Sequence, residues 1–224
     1  MIRFAVLVLG CLLCFTSAWA EVEKKNSIPG EFDYYLASLS WSKEWCVVNE
    51  KYEQQQCSGD YDFILHGLWP QFEKGYPSDC QSEKLSLSPE QESYLLKYIT
   101  PSEYLLTHEW DKHGTCSGLS DSDYYTRAAL MFTSIRIPDF LTDMTENTTI
   151  SKDDLKALLW AENRHLGLEK QDFTLVCDAD SGKLKAKPNT LDEIRVCFDK
   201  QGVPRACSNA DDACPGTIRV RVQD

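Results

Sequence analysis

The sequence predicts an α+β chain on an antiparallel sheet, with helices gathered in the middle and strands toward both ends. Three observations predict it. The stretch Asp33 to Trp41 (DYYLASLSW) alternates as a strand does; the middle carries repeated helix-start signatures; and the last fifty residues hold short apolar runs between turn-rich, cysteine-bearing loops.

Taken in order, Arg3 precedes an apolar run from Phe4 to Phe15, and Ala18-Trp19-Ala20 follows as a small-x-small cleavage pattern. Residues 1–20 therefore read as an export leader, too short for a membrane span, and residues 21–224 as one domain. In Asp33–Trp41 the side chains of Tyr35, Ala37, Leu39 and Trp41 share one side of a half-buried strand. Asp62 to Leu65 (DFIL) reads as a central strand that ends at His66-Gly67. Ser88-Pro89-Glu90-Gln91 is a capping-box pattern with proline at the first helical position, opening a helix toward Ile99. Thr100-Pro101-Ser102-Glu103 repeats that signature and opens a helix ending at Gly114, where a left-handed cap is expected. Tyr125, Ala128, Ala129 and Phe132 recur at helical spacing between Ser122 and Ser134, and Ser151-x-x-Asp154 starts a further helix. Phe173–Cys177, Ile194–Phe198 and Ile218–Val222 close the chain as strands. No repeat or linker divides it.

The formal net charge of −12 argues against a protein that coats nucleic acid, whose affinity comes from many lysine and arginine contacts to phosphate. A local grip on one or two phosphates stays open, and an acidic working environment fits the composition. Beyond the leader lie Cys46, Cys57, Cys80, Cys116, Cys177, Cys197, Cys207 and Cys214. An even count in an exported chain reads as disulfides, although eight cysteines allow on the order of a hundred connectivities. Asn147 in Asn147-Thr148-Thr149 is the glycosylation acceptor, expected on a surface loop.

The segment Thr107–Cys116 (THEWDKHGTC) comes within one residue of the zinc-peptidase pattern HExxH. Here His108 and His113 are five apart, about 140° around a helix at roughly 100° per residue, so the two imidazoles splay away from a shared ion. No metal or other cofactor is expected. On the same wheel His108, Lys112, Glu109 and His113 fill one contiguous strip, while Trp110 and Asp111 fall outside it. Glu109 and His113 form an i,i+4 pair in which the carboxylate should favour the imidazolium. The alternative is an ordinary solvated charged face. A third histidine, His66, sits in Phe63–Pro70 (FILHGLWP), where Gly67 permits close backbone approach and Trp69-Pro70 offers an aromatic platform for a base, or simply core packing. His165 has no such company and reads as surface. Two histidines with a lysine and a glutamate suit phosphodiester transesterification: one imidazole takes the 2′-hydroxyl proton, and the other protonates the leaving 5′-oxygen. DNA, lacking that hydroxyl, should not be cut.

Phe63–Gln71 (FILHGLWPQ) and Leu106–Cys116 (LTHEWDKHGTC), in this order, resemble the two active-site segments of the ribonuclease T2 family, secreted, vacuolar or lysosomal acid endoribonucleases. SLSW (Ser38–Trp41) and the cysteine-rich tail extend the likeness over most of the chain. The resemblance implies that His113 is the general base and His66 the general acid, their roles reversing when water opens the cyclic phosphate. It further implies that Glu109 and Lys112 stabilise the pentacoordinate state, His108 holds the phosphate, and Trp69, Gln71 and Tyr76 contact the base. It implies the pairs Cys80–Cys116, Cys177–Cys214 and Cys197–Cys207, leaving Cys46–Cys57. Single-stranded RNA is then the expected partner, with no membrane anchor, a monomeric chain, and a location along the secretory pathway, either extracellular or in a vacuole or lysosome. A non-catalytic secreted binding or defence protein on the same scaffold is the alternative.

Overall fold

The computed structural model describes residues 27–49, 54–178, 189–208 and 212–222. The expected leader, residues 1–20, lies outside the described residues. Strand β1 (Tyr34–Trp41) is followed by helices α1 (Ser42–Asn49) and α2 (Gln54–Ser58), then by strand β2 (Phe63–Gln71). Helices α3 (Pro89–Tyr98), α4 (Glu103–Lys112), α5 (Asp121–Ser134) and α6 (Asp139–Thr142) fill the middle. After β3 (Thr148–Ser151) and α7 (Lys152–Glu162) come β4 (Thr174–Cys177), β5 (Leu191–Asp199), β6 (Pro204–Arg205) and β7 (Thr217–Val220). The main sheet runs β2-β1-β5-β4 with β6 on β5, all antiparallel, and β3 pairs separately with β7. This is the mixed helix and antiparallel-sheet architecture that the sequence predicts.

Two expectations about the strands are corrected. All eight residues of β1 are buried, because β2 and β5 flank it and side chains cover both faces. β2 is not central and does not stop at His66: it continues to Gln71 and forms an edge, where Pro70 is tolerated because no second neighbour needs its missing N–H.

The pairing of β1 with β2 carries the most consequential irregularity. Ser38 stands opposite Gly67 and Leu39 opposite Leu65, so His66 is an extra residue in the ladder. In a regular strand, residues 66 and 69 would point to opposite faces. The bulge resets the alternation. Phe63, Leu65 and Leu68 thereby join the main core, while His66, Trp69 and Gln71 line the cleft on the other side.

Helix starts follow local chemistry. The Ser88 hydroxyl accepts from the Gln91 N–H with Pro89 in the first turn, and Ser151 accepts from the Asp154 N–H. For α4 the cap is Ser102, which accepts from Leu105 N–H, and not Thr100. The Thr100 hydroxyl instead donates to the Leu65 carbonyl at 2.7 Å, fastening the α3–α4 junction to β2. Helix α5 holds both site segments from behind: the Tyr124 hydroxyl donates to the Leu68 carbonyl at 2.8 Å, and the Tyr125 hydroxyl donates to the Leu106 carbonyl.

Four disulfides join Cys46–Cys57, Cys80–Cys116, Cys177–Cys214 and Cys197–Cys207. These are the pairs that the resemblance implies. Asn147 is exposed just before β3, and its side-chain oxygen accepts from the Val222 N–H. His165 is exposed, with Nε2 2.9 Å from the Ser134 carbonyl. Among the described residues no helix is long and apolar enough to cross a membrane.

Candidate active site

A cleft of about 340 Å³ opens where β2, α4 and β5 meet, and it is lined by Leu36, His66, Trp69, Gln71, Tyr76, His108, Glu109, Lys112, His113 and Arg195. Every site residue singled out in the two sequence segments borders it. The strip on α4 forms as the wheel predicts, with Trp110 turned into the core.

The detail within that strip differs from expectation. α4 closes at Lys112, and His113 is its C-cap at φ −121°. Gly114 does not take a left-handed cap but begins a short 3-10 turn, Gly114–Ser117, whose end cap is Gly118 at φ 72°. Gly114 is required for space: a Cβ there would come 2.5 Å from the Trp110 ring. The disulfide Cys80–Cys116 and the hydrogen bond from Asp79 N–H to the Lys112 carbonyl (2.8 Å) fasten this end of the helix.

The expected Glu109–His113 pair is not made. Glu109, 3% exposed, turns toward β2, where Oε2 accepts from Trp69 Nε1 at 2.6 Å and Oε1 lies 3.6 Å from His66 Nε2. Gly67 makes this approach possible, because a Cβ at 67 would lie 2.0 Å from Glu109 Oε2. Burial pushes the Glu109 carboxyl up, with His66, the Trp69 hydrogen bond and Lys112 opposing.

The two imidazoles consequently sit in opposite electrostatic settings. His113 is 7% exposed, and its Nδ1 is buried with no hydrogen-bond partner among the described residues. Burial first, then the positive charge of Lys112, His66 and His108, drives its pKa down to about 3. The expectation that a neighbouring carboxylate raises His113 is thus reversed. His66 keeps about a third of its side chain exposed. Burial alone would lower it, but the hydrogen bond and charge of Glu193, followed by Glu109 and Asp192, outweigh that and raise it. The two shifts therefore favour the neutral form of His113 and the protonated form of His66.

Trp69 lies between them. The His66 ring meets it edge-on with centroids 5.3 Å apart, the His113 ring tilts against it at 5.4 Å, and the Arg195 guanidinium lies over it at 5.2 Å. The ring is thus met at edge and face by its neighbours while it still borders the cleft. Its contacts make it a spacer between the imidazoles and an anchor for Glu109. Tyr76, 54% exposed, stands at the rim, 6.4 Å from the His113 ring. Gln71 is buried beneath, with its amide donating to the Pro70 carbonyl. His108 stacks on exposed Tyr104 one turn earlier on α4, at 5.9 Å.

With this geometry in view, a family model described as the ribonuclease T2 family matches residues 32–207. The chain belongs to the ribonuclease T2 family. It is 48% identical over 126 residues to a ribonuclease of Aeromonas hydrophila, an alignment that spans 55% of this chain and 55% of that protein. It is 30% identical over 216 residues to ribonuclease DdI of Dictyostelium discoideum, covering 90% and 89% of the two chains. Among solved folds, an RNase MC1 variant from bitter gourd, in complex with 5′-UMP, superposes with a TM-score of 0.67 at 23% identity over 84% of this chain and 98% of that one. That likeness establishes the shared fold.

Two charged cleft contributors escape the sequence segments altogether. Glu193 and Arg195 come from β5, more than seventy residues beyond Cys116. The available signal was Leu191–Val196 (LDEIRV), in which Glu193 and Arg195, two apart, share one face of a strand and carry opposite charges.

Proposed function

We propose that this chain is an endoribonuclease that cleaves single-stranded RNA by transesterification to 2′,3′-cyclic phosphates and then hydrolyses these to 3′-phosphates. The observation that carries the proposal is the placing of His66 and His113 on one cleft, either side of the Trp69 ring, in settings that raise the pKa of the first and lower that of the second. Those settings favour the protonation state general acid–base catalysis needs before substrate arrives. His113 accepts the 2′-hydroxyl proton while His66 delivers one to the departing 5′-oxygen. The roles then reverse as water attacks the cyclic ester. A phosphodiester anion entering beside His113 offsets the cationic neighbours and strengthens it as a base. Lys112 and His108 supply positive charge toward the phosphorane, and Glu109 holds the His66 imidazolium and, through Trp69, the spacing of the rings.

RNA carries its own nucleophile, so the residues present account for the reaction without a metal or covalent intermediate, and DNA is not a substrate. Trp69, Gln71 and Tyr76 are proposed to meet the base next to the scissile phosphate. The cleft is built from one chain, and the proposal needs no second copy.

Four disulfides fit an oxidising compartment, and residues 1–20 are proposed as the leader that takes the chain there. Extracellular space or an acidic vacuole or lysosome is the proposed destination, with Asn147 available to a glycan.

The deciding experiment digests a defined single-stranded RNA near pH 5 and identifies product ends over time. Cyclic phosphates that ripen to 3′-phosphates are expected, and loss of both when His66 and His113 are replaced together. Wild-type protein that releases no acid-soluble nucleotide would favour the non-catalytic alternative.

A further inference from the structure

The acid role of His66 depends on which nitrogen holds which proton, and the group that decides this lies outside both active-site segments. His66 Nδ1 is 2.6 Å from Glu193 Oε1. The other carboxylate oxygen, Oε2, accepts from Arg195 Nε at 2.8 Å and Nη2 at 2.6 Å. Glu193 is 5% exposed, on a strand clamped between β1 and β4. A carboxylate so placed has each oxygen committed to a different cation, and its partners' positions are fixed by the sheet. Arg195 is fixed in turn by its place over the Trp69 ring.

We propose that Glu193 and Arg195 form a positioning pair for His66, in which Glu193 takes the Nδ1–H so that Nε2 carries the transferable proton into the cleft, and Arg195 keeps Glu193 ionised and correctly aimed. Neither residue touches the reacting atoms in this scheme. The proposal rests on the assignment of His66 as general acid.

The chemistry follows from hydrogen-bond inventory. A neutral imidazole has one N–H, and a carboxylate acceptor on Nδ1 claims it, leaving Nε2 to take up and release the working proton. In the reverse step, when water is activated, the same anchoring presents the Nε2 lone pair to the cleft. The charges around His66 are Glu193 and Asp192 from β5, Glu109 from α4, neutral His113 at the α4 cap with Lys112 beside it, and Arg195 beyond Glu193. Glu193 is the one in direct hydrogen-bond contact; burial opposes its charge, but the His66 bond and charge and the Arg195 charge prevail and keep it ionised.

The test is Glu193→Gln, which preserves shape but removes the charge and offers an amide in place of one acceptor oxygen. The His66 ring titration followed by NMR should move down by about one pH unit or more, while that of His113 stays. The descending alkaline limb of kcat/KM should move down with it, and turnover near pH 5 should fall roughly tenfold. An unmoved His66 titration and an unmoved limb would overturn the proposal, even if activity dropped through loss of packing. Should Glu193→Gln not fold, ring ¹⁵N spectra of the wild type decide: the Nδ1–H tautomer is expected for neutral His66, and the Nε2–H tautomer would overturn it. Both NMR outcomes are independent of RNA cleavage, so a wild type without ribonuclease activity would defeat the functional reading and leave this geometry separately judged.

Discussion

Trp69 Nε1 donates to Glu109 Oε2 at 2.6 Å, and this one bond joins the strand carrying His66 to the helix carrying His113. It fixes the width of the cleft from inside. Replacing Trp69 by Phe keeps most of the ring but leaves a buried carboxylate oxygen without its donor, at about 1–3 kcal/mol. Stability should fall by that amount, with turnover falling at least tenfold, as measured by chemical denaturation and RNA cleavage. A variant with full turnover would show that Trp69 is not the spacer.

The two imidazoles give the sharpest kinetic expectation. His66→Ala and His113→Ala should each lower kcat by roughly 10²–10⁴-fold, the usual reach of a general acid or base. Circular dichroism should stay native, since both residues border the cleft. Excess EDTA should leave wild-type cleavage unchanged, and loss of activity on chelation would contradict the metal-free scheme.

The pH profile of kcat/KM follows from the signs of the two shifts. The base must be neutral, so activity rises with pH through the lowered value of His113, about 3 in the free enzyme. The acid must be protonated, so activity falls with pH through the value of His66, which lies above 6.5. A bell spanning the acidic range is expected. An optimum on the alkaline side would refute the assignment.

Glu44 offers a test of stability. It is 2% exposed, 3.2 Å from Arg221, and burial raises its pKa to about 7 despite that charge. A raised carboxyl binds its proton more tightly in the folded state, so its contribution is present below the unfolded value of 4.5 and is lost as pH rises toward 7. His113, lowered to about 3, works in the opposite direction over much of that range, so the wild-type curve alone does not isolate Glu44. Relative to wild type, Glu44→Gln should gain on the order of 2 kcal/mol between pH 4.5 and 7. Parallel offsets at the two pH values in denaturant titrations would remove Glu44 from this role.

Gly67→Ala should act on both segments together. The new methyl would collide with Glu109 Oε2 and with Trp69 Nε1, 2.3 Å away, so one of them must move. A cost of about 1–3 kcal/mol is expected from overpacking, with turnover falling as the Trp69–Glu109 bond is displaced. Denaturation midpoints and kcat measured together check this.

What was legible in the sequence was local. Ser88, Ser151 and the α4 strip declare themselves within a few residues, because caps and helical spacing depend on near neighbours. What was not legible depends on distant partners. Thr100 matches a cap pattern but is claimed by Leu65 across the fold. The spacing of Glu109 and His113 suggests a pair, yet Trp69 and His66 outbid His113 for the carboxylate. Burial then reverses the sign of the His113 shift, and burial is a property of the packed molecule. Glu193 was hidden for the same reason, since only sheet register brings β5 beside His66.

The surplus residue in β2 makes this architecture unusually sensitive to strand register. Were the ladder to pair evenly through His66, a slip of one residue, everything downstream to Gln71 would trade sides. Trp69 would then point into the hydrophobic interior and Leu68 into solvent. Point substitutions erode such a site by degrees, whereas a one-residue slip here would turn it inside out.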